Sequence, residues 1–292
     1  MSEQHPVIAV TGSSGAGTTN VKTAFERICH NEGIKPAVIE GDCFHRYDRT
    51  EMKEVVAAAK EEGKSVTHFG PEGNLFEELE EVFREYSKSG TGRRRWYVHN
   101  EEEAYNHQLP PGSISAWEPL PKDSDILFYE GLHGGLISDT VNVAKHVDLL
   151  IGVVPIINLE WIQKTHRDRL ERGQSTKAAT EAILSRMHDY VHYIVPQFSR
   201  TDINFQRVPT VDTSDPFGER EVPSNDQSFT VVHVRNHKKL EVDFPYLLNM
   251  LDGSFMSTPD TIVIPAGKNT LAMELIFTPI AETLMKDRRG SR

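Results

Sequence analysis

The sequence predicts an α/β fold in which helices flank a mostly parallel sheet and additional antiparallel strands lie at one edge. Near-continuous apolar runs at Ile126–Tyr129 and Val147–Val154 are typical of parallel strands that are covered on both faces. A third apolar run, Val7–Val10, leads through a glycine-rich turn into a helix-like segment, Asn20–Cys29. Strand, tight turn and helix in this order form the unit from which such sheets are built.

The glycine-rich turn is similar to the loop that binds nucleotide phosphates. Residues 12–19 read GSSGAGTT and match the pattern G-x-x-x-x-G-K-[ST], except that Thr18 replaces the lysine. Glycines let backbone N–H groups curl around a phosphate, and the start of the helix adds unpaired donors and a positive dipole end. A hydroxyl at Thr18 or Thr19 is placed to bind a magnesium ion. The alternative is an ordinary strand-to-helix turn in which the glycines only set the shape.

On the first interpretation the fold is P-loop NTPase-like. The predicted nucleotide-binding residues are Gly12, Ser13, Ser14, Gly15, Ala16, Gly17, Thr18 and Thr19. Because the loop lacks its lysine, another cation must serve the transferred phosphate.

Composition and charge argue against several classes of protein. The chain has 292 residues, of which 38% are hydrophobic and 26% are charged, as in ordinary globular proteins. Its net charge of −11 argues against general binding to nucleic acid or to a membrane surface. No apolar run reaches the roughly 18 residues of a membrane span, and the amino terminus does not read as a secretory signal. The two cysteines, Cys29 and Cys43, lack metal-binding spacing and suggest a reducing, cytoplasmic setting.

The remaining elements follow in order from apolar runs and turn residues. After a strand at Pro36–Glu40, exposed helices are predicted at Glu51–Glu62 and Asn74–Ser87, and prolines mark an irregular connection at 101–123. The later predictions are helices at 158–172, Thr176–Val195, Phe244–Leu251 and Thr270–Met285, and strands at Val208–Asp212, Phe229–Val234 and Thr261–Ile264.

Asp42 follows the strand at 36–40, and open α/β sheets place their sites at the carboxyl ends of strands. A carboxylate there could accept a proton from a substrate hydroxyl. The alternative is a turn residue or a helix cap, since Gly-Asp is common in turns. His45 and Arg49 follow at three and seven residues and are natural ligands for a phosphate or a sugar.

Glu130 ends the apolar strand that begins at Ile126. Four apolar residues followed by an acid resemble the second signature of phosphate-loop proteins, whose acid holds the magnesium ion or its water. A strand-end acid that simply faces solvent is the alternative.

The helix predicted at 158–172 carries a stripe of alternating charge. The stripe comprises Glu160, Lys164, Asp168 and Arg172. A solvated ladder of salt bridges is one interpretation of this spacing. The other is a lid over the nucleotide, in which Lys164, Arg167, Arg169 and Arg172 supply the cations that the loop lacks at position 18.

Arg93, Arg94 and Arg95 precede an aromatic stretch that ends at His99. If this stretch is a strand, alternation places Arg95, Tyr97 and His99 on one face. Tyr97 and His99 are the preferred candidates for a substrate-phosphate pocket. A basic edge strand that discourages aggregation is the alternative.

With these residues assembled, the chain resembles the bacterial-type phosphoribulokinases, which belong to the uridine-kinase-like group of phosphate-loop kinases. The stretches that carry the resemblance are TGSSGAGTT (11–19), EGDCFHR (40–46), FYEGLHGG (128–135), NLEWIQKTHRDRLERG (158–173), PQFSRTDINFQRVPTVDTSDPF (196–217) and DFPYLL (243–248). The threonine at position 18 belongs to this family's own version of the loop.

The resemblance implies magnesium-dependent transfer of the ATP γ-phosphate to the O1 hydroxyl of D-ribulose 5-phosphate, giving ribulose 1,5-bisphosphate and ADP. By position it implies Asp42 as the catalytic base, Asp168 as a second essential acid, Glu130 and Thr19 at the metal, and Lys164 and Arg167 at ATP or the moving phosphate. The residues implied for the sugar phosphate are His45, Arg49, Tyr97, His99 and Arg172. It further implies a homo-oligomer. Disulfide switching, as in the plant-type branch, is not expected, because Ser13 and Ser14 occupy the turn.

The chain is therefore predicted to form a single P-loop kinase domain over 1–292 with two insertions. A helical and irregular insertion is expected at about 50–123, and the region at about 225–265 is expected to add edge strands or mediate assembly. A related kinase that acts on another small hydroxyl acceptor, such as a nucleoside or pantothenate, and a nucleotide sensor without catalysis are the alternatives.

Overall fold

An eight-stranded sheet forms the centre of the protein. The computed structural model describes residues 5–13, 18–154, 156–170, 173–218 and 221–290, with backbone only for 18–19 and 287–290. The strands are β1 (Val7–Gly12), β2 (Pro36–Glu40), β3 (Arg93–Arg94), β4 (Glu118–Pro119), β5 (Ile126–Gly131), β6 (Leu149–Val153), β7 (Ile203–Pro209), β8 (Ser228–Val234), β9 (Phe255–Thr258) and β10 (Thr261–Ile264). The large sheet has the order β2-β5-β1-β6-β7-β8-β10-β9, and β3 pairs with β4 in a separate ribbon.

Strands β2, β5, β1, β6 and β7 are parallel to one another. Strands β8, β10 and β9 follow, and each of them pairs antiparallel with the strand before it. The predicted fold class, a mostly parallel sheet with antiparallel strands at one edge, is therefore confirmed. Sequence analysis missed β9, and it placed β7 about five residues too late, at 208–212. The strand begins at Ile203 because Ile203 and Phe205 alternate into the core, whereas the prediction followed the later valines.

Ten helices cover the two faces of the sheet in the described part of the chain. They are α1 (Thr18–Glu32), α2 (Arg49–Glu61), α3 (Phe76–Ser89), α4 (Glu101–His107), α5 (Ile157–Leu170), α6 (Thr176–Ser185), α7 (Met187–Asp189), α8 (Val195–Phe198), α9 (Phe244–Met250) and α10 (Asn269–Gly290). Short 3₁₀ helices lie at 41–44, 71–73, 143–146 and 225–227, and a π-helical segment lies at 190–194. Within these ranges no helix is both long and apolar enough to cross a bilayer.

Alternate residues of β1 enter two separate cores. Ile8 and Val10 pack in a cluster with Phe25 of α1 and Phe277 of α10, whereas Val7 and Ala9 pack in a second cluster on the opposite face. Successive side chains of a strand point to opposite faces, so β1 is buried on both sides, as its unbroken apolar run predicts.

Two predicted helices differ from those observed. The helix expected at Thr176–Val195 is divided into α6, α7 and the π-helical segment. The helix expected at Asn74–Ser87 is not an exposed one, because α3 buries an apolar stripe against the second core. In the connection predicted to be irregular, Asn100 caps the short helix α4 by accepting from the Glu103 N–H at 3.0 Å.

Candidate active site

The carboxyl ends of four neighbouring parallel strands meet at one edge of the sheet. Glu130 of β5 lies in register between Val10 of β1 and Glu40 of β2, and Gly12 of β1 pairs with Val153 of β6. The segments that follow these strands therefore converge at the position where open α/β sheets bind ligands.

Strand β1, which precedes the predicted phosphate loop, ends at the middle of this edge. In the chain the loop lies between this strand and α1, as the motif requires. Of the loop itself, Gly12 and Ser13 are described, and the Ser13 side chain is buried. Residues 14–17 and the side chains of Thr18 and Thr19 lie outside the described residues, so their contacts with nucleotide stay predictions.

Asp42 lies between two histidines. It belongs to the 3₁₀ turn that follows β2, and its Oδ1 and Oδ2 lie 3.4 Å from His45 Nε2 and 3.6 Å from His99 Nε2. Burial lowers the pKa of His45, which favours its neutral form. The Asp42 side chain itself remains 37% exposed, so a ligand can reach it.

Tyr97 and Arg49 complete this cluster. The Tyr97 ring centroid lies 5.6 Å from that of His45 and 4.9 Å from that of His99. Arg49 Nη2 donates to the His99 carbonyl at 3.1 Å. Four of the residues proposed to hold a sugar phosphate thus surround the proposed base, although they come from two segments, 45–49 and 97–99, that are distant in sequence. The fifth, Arg172, lies outside the described residues.

Arg95 fixes the backbone of the Asp42 turn. Its Nε donates to the Cys43 carbonyl at 2.6 Å and its Nη2 to the His45 carbonyl at 2.5 Å. Strand β3 ends at Arg94, so the predicted strand face shared by Arg95, Tyr97 and His99 does not exist. Sequence analysis noted Arg95 but missed this role, because the acceptors are backbone atoms that leave no mark in the sequence.

A glycine is required before Asp42 by the close approach of β5. A Cβ at Gly41 would lie 2.6 Å from the Tyr129 hydroxyl and 2.9 Å from the Gly131 Cα. Any side chain at position 41 would therefore force the ends of β2 and β5 apart and move Asp42 away from Glu130.

The surroundings of Glu130 suit a magnesium ion. Glu40 lies beside it in the sheet and forms a 2.5 Å ion pair with Lys22 of α1. In the described ranges no group of three or more histidine, cysteine or acidic side chains forms a complete metal cage. Magnesium usually takes only one or two carboxylates and keeps waters and substrate phosphates as its other ligands, so the donor set fits this ion.

Three members of the charged stripe on α5 are buried. Glu160, Lys164 and Asp168 are 5%, 7% and 1% exposed. The solvated salt-bridge ladder is therefore wrong as a description of this helix. Lys164 Nζ lies 2.8 Å from Asp168 Oδ2, and Arg167 Nε lies 3.9 Å from Asp168 Oδ1. Burial lowers the pKa of Lys164 and raises that of Glu160, which accepts from the Tyr190 hydroxyl at 2.9 Å.

Gln197 is a further residue that sequence analysis missed. Its side chain is fully buried, and its Oε1 accepts from the Thr11 hydroxyl at 3.1 Å and the Gly135 N–H at 2.9 Å. Its Nε2 donates to the carbonyls of Leu132 and Tyr193 at 2.8 Å and 2.7 Å. One amide thus ties the strand before the phosphate loop to the segment after Glu130.

Comparison with known proteins places the chain in a family. A model of the phosphoribulokinase / uridine kinase family matches residues 7–214. The chain belongs to this family. The family predicted from the sequence is confirmed, and with it the P-loop kinase fold.

Individual relatives extend the similarity over the whole chain. The chain is 59% identical over 290 residues to the plasmid phosphoribulokinase of Cupriavidus necator, with 99% of each chain covered. It is 53% identical over 289 residues to the probable phosphoribulokinase of Escherichia coli strain K12, again with 99% of each covered. The solved structure of phosphoribulokinase from Rhodobacter spheroides superposes with a TM-score of 0.91 at 49% identity, covering 99% of this chain and 100% of that one.

Proposed function

We propose that the protein is a phosphoribulokinase, which transfers the γ-phosphate of ATP to the O1 hydroxyl of D-ribulose 5-phosphate and releases ribulose 1,5-bisphosphate and ADP. The observation that carries this proposal is the cluster at the end of β2. There a carboxylate, two histidines, a tyrosine and an arginine converge at the edge of the sheet where β1 also ends, in a chain that matches proteins named phosphoribulokinase over 99% of its length.

Asp42 is the proposed base. Its carboxylate accepts the proton of the O1 hydroxyl as the bond from O1 to the γ-phosphorus forms and the bond from that phosphorus to ADP breaks. His45 and His99 lie beside the two carboxylate oxygens and orient them toward the acceptor. Arg95 holds the turn in place through the Cys43 and His45 carbonyls.

The sugar phosphate is proposed to bind at Arg49, Tyr97, His99 and Arg172. A dianionic phosphate needs cationic and hydroxyl donors around it, and Arg49 lies next to His99. This requirement distinguishes a phosphorylated acceptor from a nucleoside or pantothenate.

The transferring phosphoryl group requires positive charge, and Lys164 and Arg167 are proposed to supply it in place of the missing loop lysine. Asp168 neutralises and orients the buried Lys164 ammonium. Glu130 and the Thr19 hydroxyl would hold the magnesium ion, which neutralises charge on the phosphate oxygens when bound.

We also infer that the protein works in the cytoplasm as a homo-oligomer, without nucleic acid or membrane partners. The buried free cysteines suit a reducing compartment. Strand β9 ends the large sheet and exposes Phe255, which supports assembly through the region at 225–265.

The test is ADP release from ATP in the presence of magnesium, with ribulose 5-phosphate, uridine and pantothenate as separate acceptors. We expect turnover with ribulose 5-phosphate only. Asp42→Asn should lower kcat by about 10²–10⁴-fold with a small change in the KM for ATP, because the amide cannot accept the proton. Turnover with uridine or pantothenate instead would overturn the acceptor, and normal turnover in Asp42→Asn would overturn the base.

A further inference from the structure

A stacked pair of exposed histidines has no role in the proposed chemistry. His188 and His192 are four residues apart on the continuous helical run at 187–198. Their ring centroids lie 4.2 Å apart and their ring planes are inclined by 25°. Two histidines at this spacing lie on one face of a helix, and helical zinc-binding motifs use the same spacing. The pair therefore has the first requirement of a metal site, which is two nitrogen ligands held close together.

Each ring of the pair is held through its Nδ1 atom. His188 Nδ1 lies 3.1 Å from Asp189 Oδ1, and His192 Nδ1 lies 2.7 Å from the His188 carbonyl. A backbone carbonyl and an ionised carboxylate can only accept hydrogen bonds, so Nδ1 carries a proton in both rings. In a neutral imidazole with its proton on Nδ1, the Nε2 atom keeps a lone pair. Both Nε2 atoms are therefore in the state that binds a metal ion.

The Asp189 carboxylate that holds His188 is itself fixed. It is buried, and its Oδ2 accepts from the Thr67 hydroxyl at 2.7 Å, which leaves Oδ1 for the histidine. A second carboxylate adds negative charge nearby, since a Cβ at Gly70 would lie 2.7 Å from Asp189 Oδ2 and 3.1 Å from Glu72 Oε2. Metal-binding histidines usually donate their other ring N–H to a carboxylate or a backbone carbonyl. This pair has one acceptor of each kind.

The two imidazoles determine which cations fit. Imidazole suits Zn²⁺, Cu²⁺ and Ni²⁺, whereas Mg²⁺ and Ca²⁺ prefer oxygen ligands, so the pair differs in kind from the proposed magnesium site at Glu130. Zinc–nitrogen bonds of about 2.0–2.1 Å bring two ligand nitrogens to roughly 3 Å from each other. Both rings are exposed, so side-chain rotation can reach this spacing without moving the core. In the described ranges no third histidine, cysteine or acidic side chain joins them in a metal-binding group, so water would complete the coordination.

We propose that His188 and His192 bind a divalent first-row transition-metal ion of the zinc, copper or nickel type, and that Asp189 is the positioning residue for His188. The ion would join α7 to the π-helical segment at 190–194, whose Tyr190 hydroxyl donates to Glu160. A ligand that binds only the native state raises its stability, so the metal would stabilise this segment. The site does not depend on the identity of the phosphoryl acceptor.

Titration of the full chain with Zn²⁺ against a chromophoric chelator, without nucleotide and with excess Mg²⁺, tests the site. We expect the wild type to bind a single Zn²⁺ that Mg²⁺ does not displace. His188→Ala and His192→Ala should each weaken this binding at least about tenfold, because loss of a ligand costs no less than loss of an outer partner. His30→Ala is the matched control and should bind as the wild type does, since His30 is exposed near the end of α1 and has no histidine four residues away.

Copper identifies the ligands directly. The electron paramagnetic resonance spectrum of Cu²⁺ added at one equivalent to the wild type should show coupling to two imidazole nitrogens, and the spectrum of each histidine variant should lose this pattern. Asp189→Asn keeps the shape of the side chain but removes its charge. It should retain the two-nitrogen spectrum while its Zn²⁺ affinity falls about tenfold.

The same measurements can overturn the proposal. Absence of Zn²⁺ binding to the wild type in the presence of Mg²⁺ would do so, and so would Zn²⁺ affinity and a copper spectrum that are unchanged in both histidine variants. Undiminished Zn²⁺ affinity in Asp189→Asn would overturn the positioning role of Asp189.

Discussion

The chemistry of Asp42 depends on the charge state of its neighbours. A cationic partner lowers the proton affinity of a carboxylate, and a neutral imidazole does so much less. His45 lies 3.4 Å from Asp42, and its burial lowers its pKa, so at neutral pH it is an uncharged neighbour. His45 therefore orients the carboxylate without weakening it as the proposed base.

Arg95→Lys tests whether the backbone around Asp42 must be held. A lysine ammonium is a point donor and cannot serve the Cys43 and His45 carbonyls with the geometry of the guanidinium fork. We expect kcat with ribulose 5-phosphate to fall by about ten- to a hundredfold, while the KM for ATP stays within about twofold, because misplacement of a catalytic group affects the chemical step. Arg93→Lys, whose exposed side chain stacks on Trp117, is the matched control. Equal kcat in the two variants would show that Arg95 does not position the turn.

His133 is expected to make stability fall in acid. Its Nε2 lies 3.0 Å from the Phe69 carbonyl, which can only accept, so Nε2 carries a proton. Burial lowers the pKa of His133 to about 4. The unfolded chain, with a histidine pKa near 6.5, therefore binds more protons than the native state between about pH 6.5 and 4, and stability falls as pH falls through that window.

Urea unfolding of the wild type and of His133→Gln at pH 7.5 and 5.0 measures this effect. The glutamine amide can still donate to Phe69 but does not titrate. Between these two pH values the wild type should lose about 2 kcal/mol more than the variant, because the experiment covers roughly 1.5 pH units of the window in which only the unfolded histidine is protonated, at about 1.4 kcal/mol per unit. An equal loss in both proteins would mean that a group other than His133 causes the loss of stability in acid.

The strands of this protein can be predicted from the sequence more accurately than the turns and helices that carry the site. The apolar runs of β1 and β5 mark buried strands because both of their faces are covered. Sequence analysis missed the break after α6, although residues 190–195, YVHYIV, are mostly aromatic or β-branched types with lower helix propensity. In the structure the π-helical segment at 190–194 directs the Tyr190 hydroxyl to Glu160 and the Tyr193 carbonyl to Gln197. Such tertiary partners decide helix irregularities.

The charged stripe of α5 shows that residue spacing predicts the face of a helix but not the burial of that face. Four-residue spacing correctly placed Glu160, Lys164 and Asp168 on one face of a helix. It could not decide whether that face was solvated, since burial depends on the segments from elsewhere that cover it. The structure buries the stripe, which favours a role at the site over a stabilising one, because buried ion pairs seldom add net stability.

Gln197→Leu tests the connection between elements. Leucine keeps the approximate volume but removes the four hydrogen bonds that join β1, the segment at 132–135 and the π-helical segment. Buried groups left without partners cost about 1–3 kcal/mol each, so the free energy of unfolding should fall by about 3 kcal/mol or more. Chemical denaturation measures the change. A loss below about 1 kcal/mol would mean that the neighbouring groups find other partners.

The whole molecule carries a natural pair of reporters, one in each core. Cys29 lies in the core formed with α1 and α10, and Cys43 lies in the core on the opposite face of the sheet. Both are free and buried. Burial raises the pKa of Cys29 to about 11 and that of Cys43 to about 12, so neither thiol forms an appreciable amount of the reactive thiolate at neutral pH.

The two reporters can test the predicted single domain over 1–292. Cys43→Ser keeps only the Cys29 thiol and Cys29→Ser keeps only the Cys43 thiol, and each can be labelled with a thiol reagent across a urea series at pH 7.5. Because the strands of one sheet contribute to both cores, the cores cannot open separately without breaking the sheet. In each variant we therefore expect labelling to begin at the urea concentration where that variant's own circular dichroism signal is lost. Comparison within each variant cancels the destabilisation that a buried serine introduces. The contrary result is labelling of one thiol at a urea concentration well below that at which its variant loses circular dichroism. That result would mean that the chain unfolds as two cooperative units and that the sheet belongs to the more stable of them.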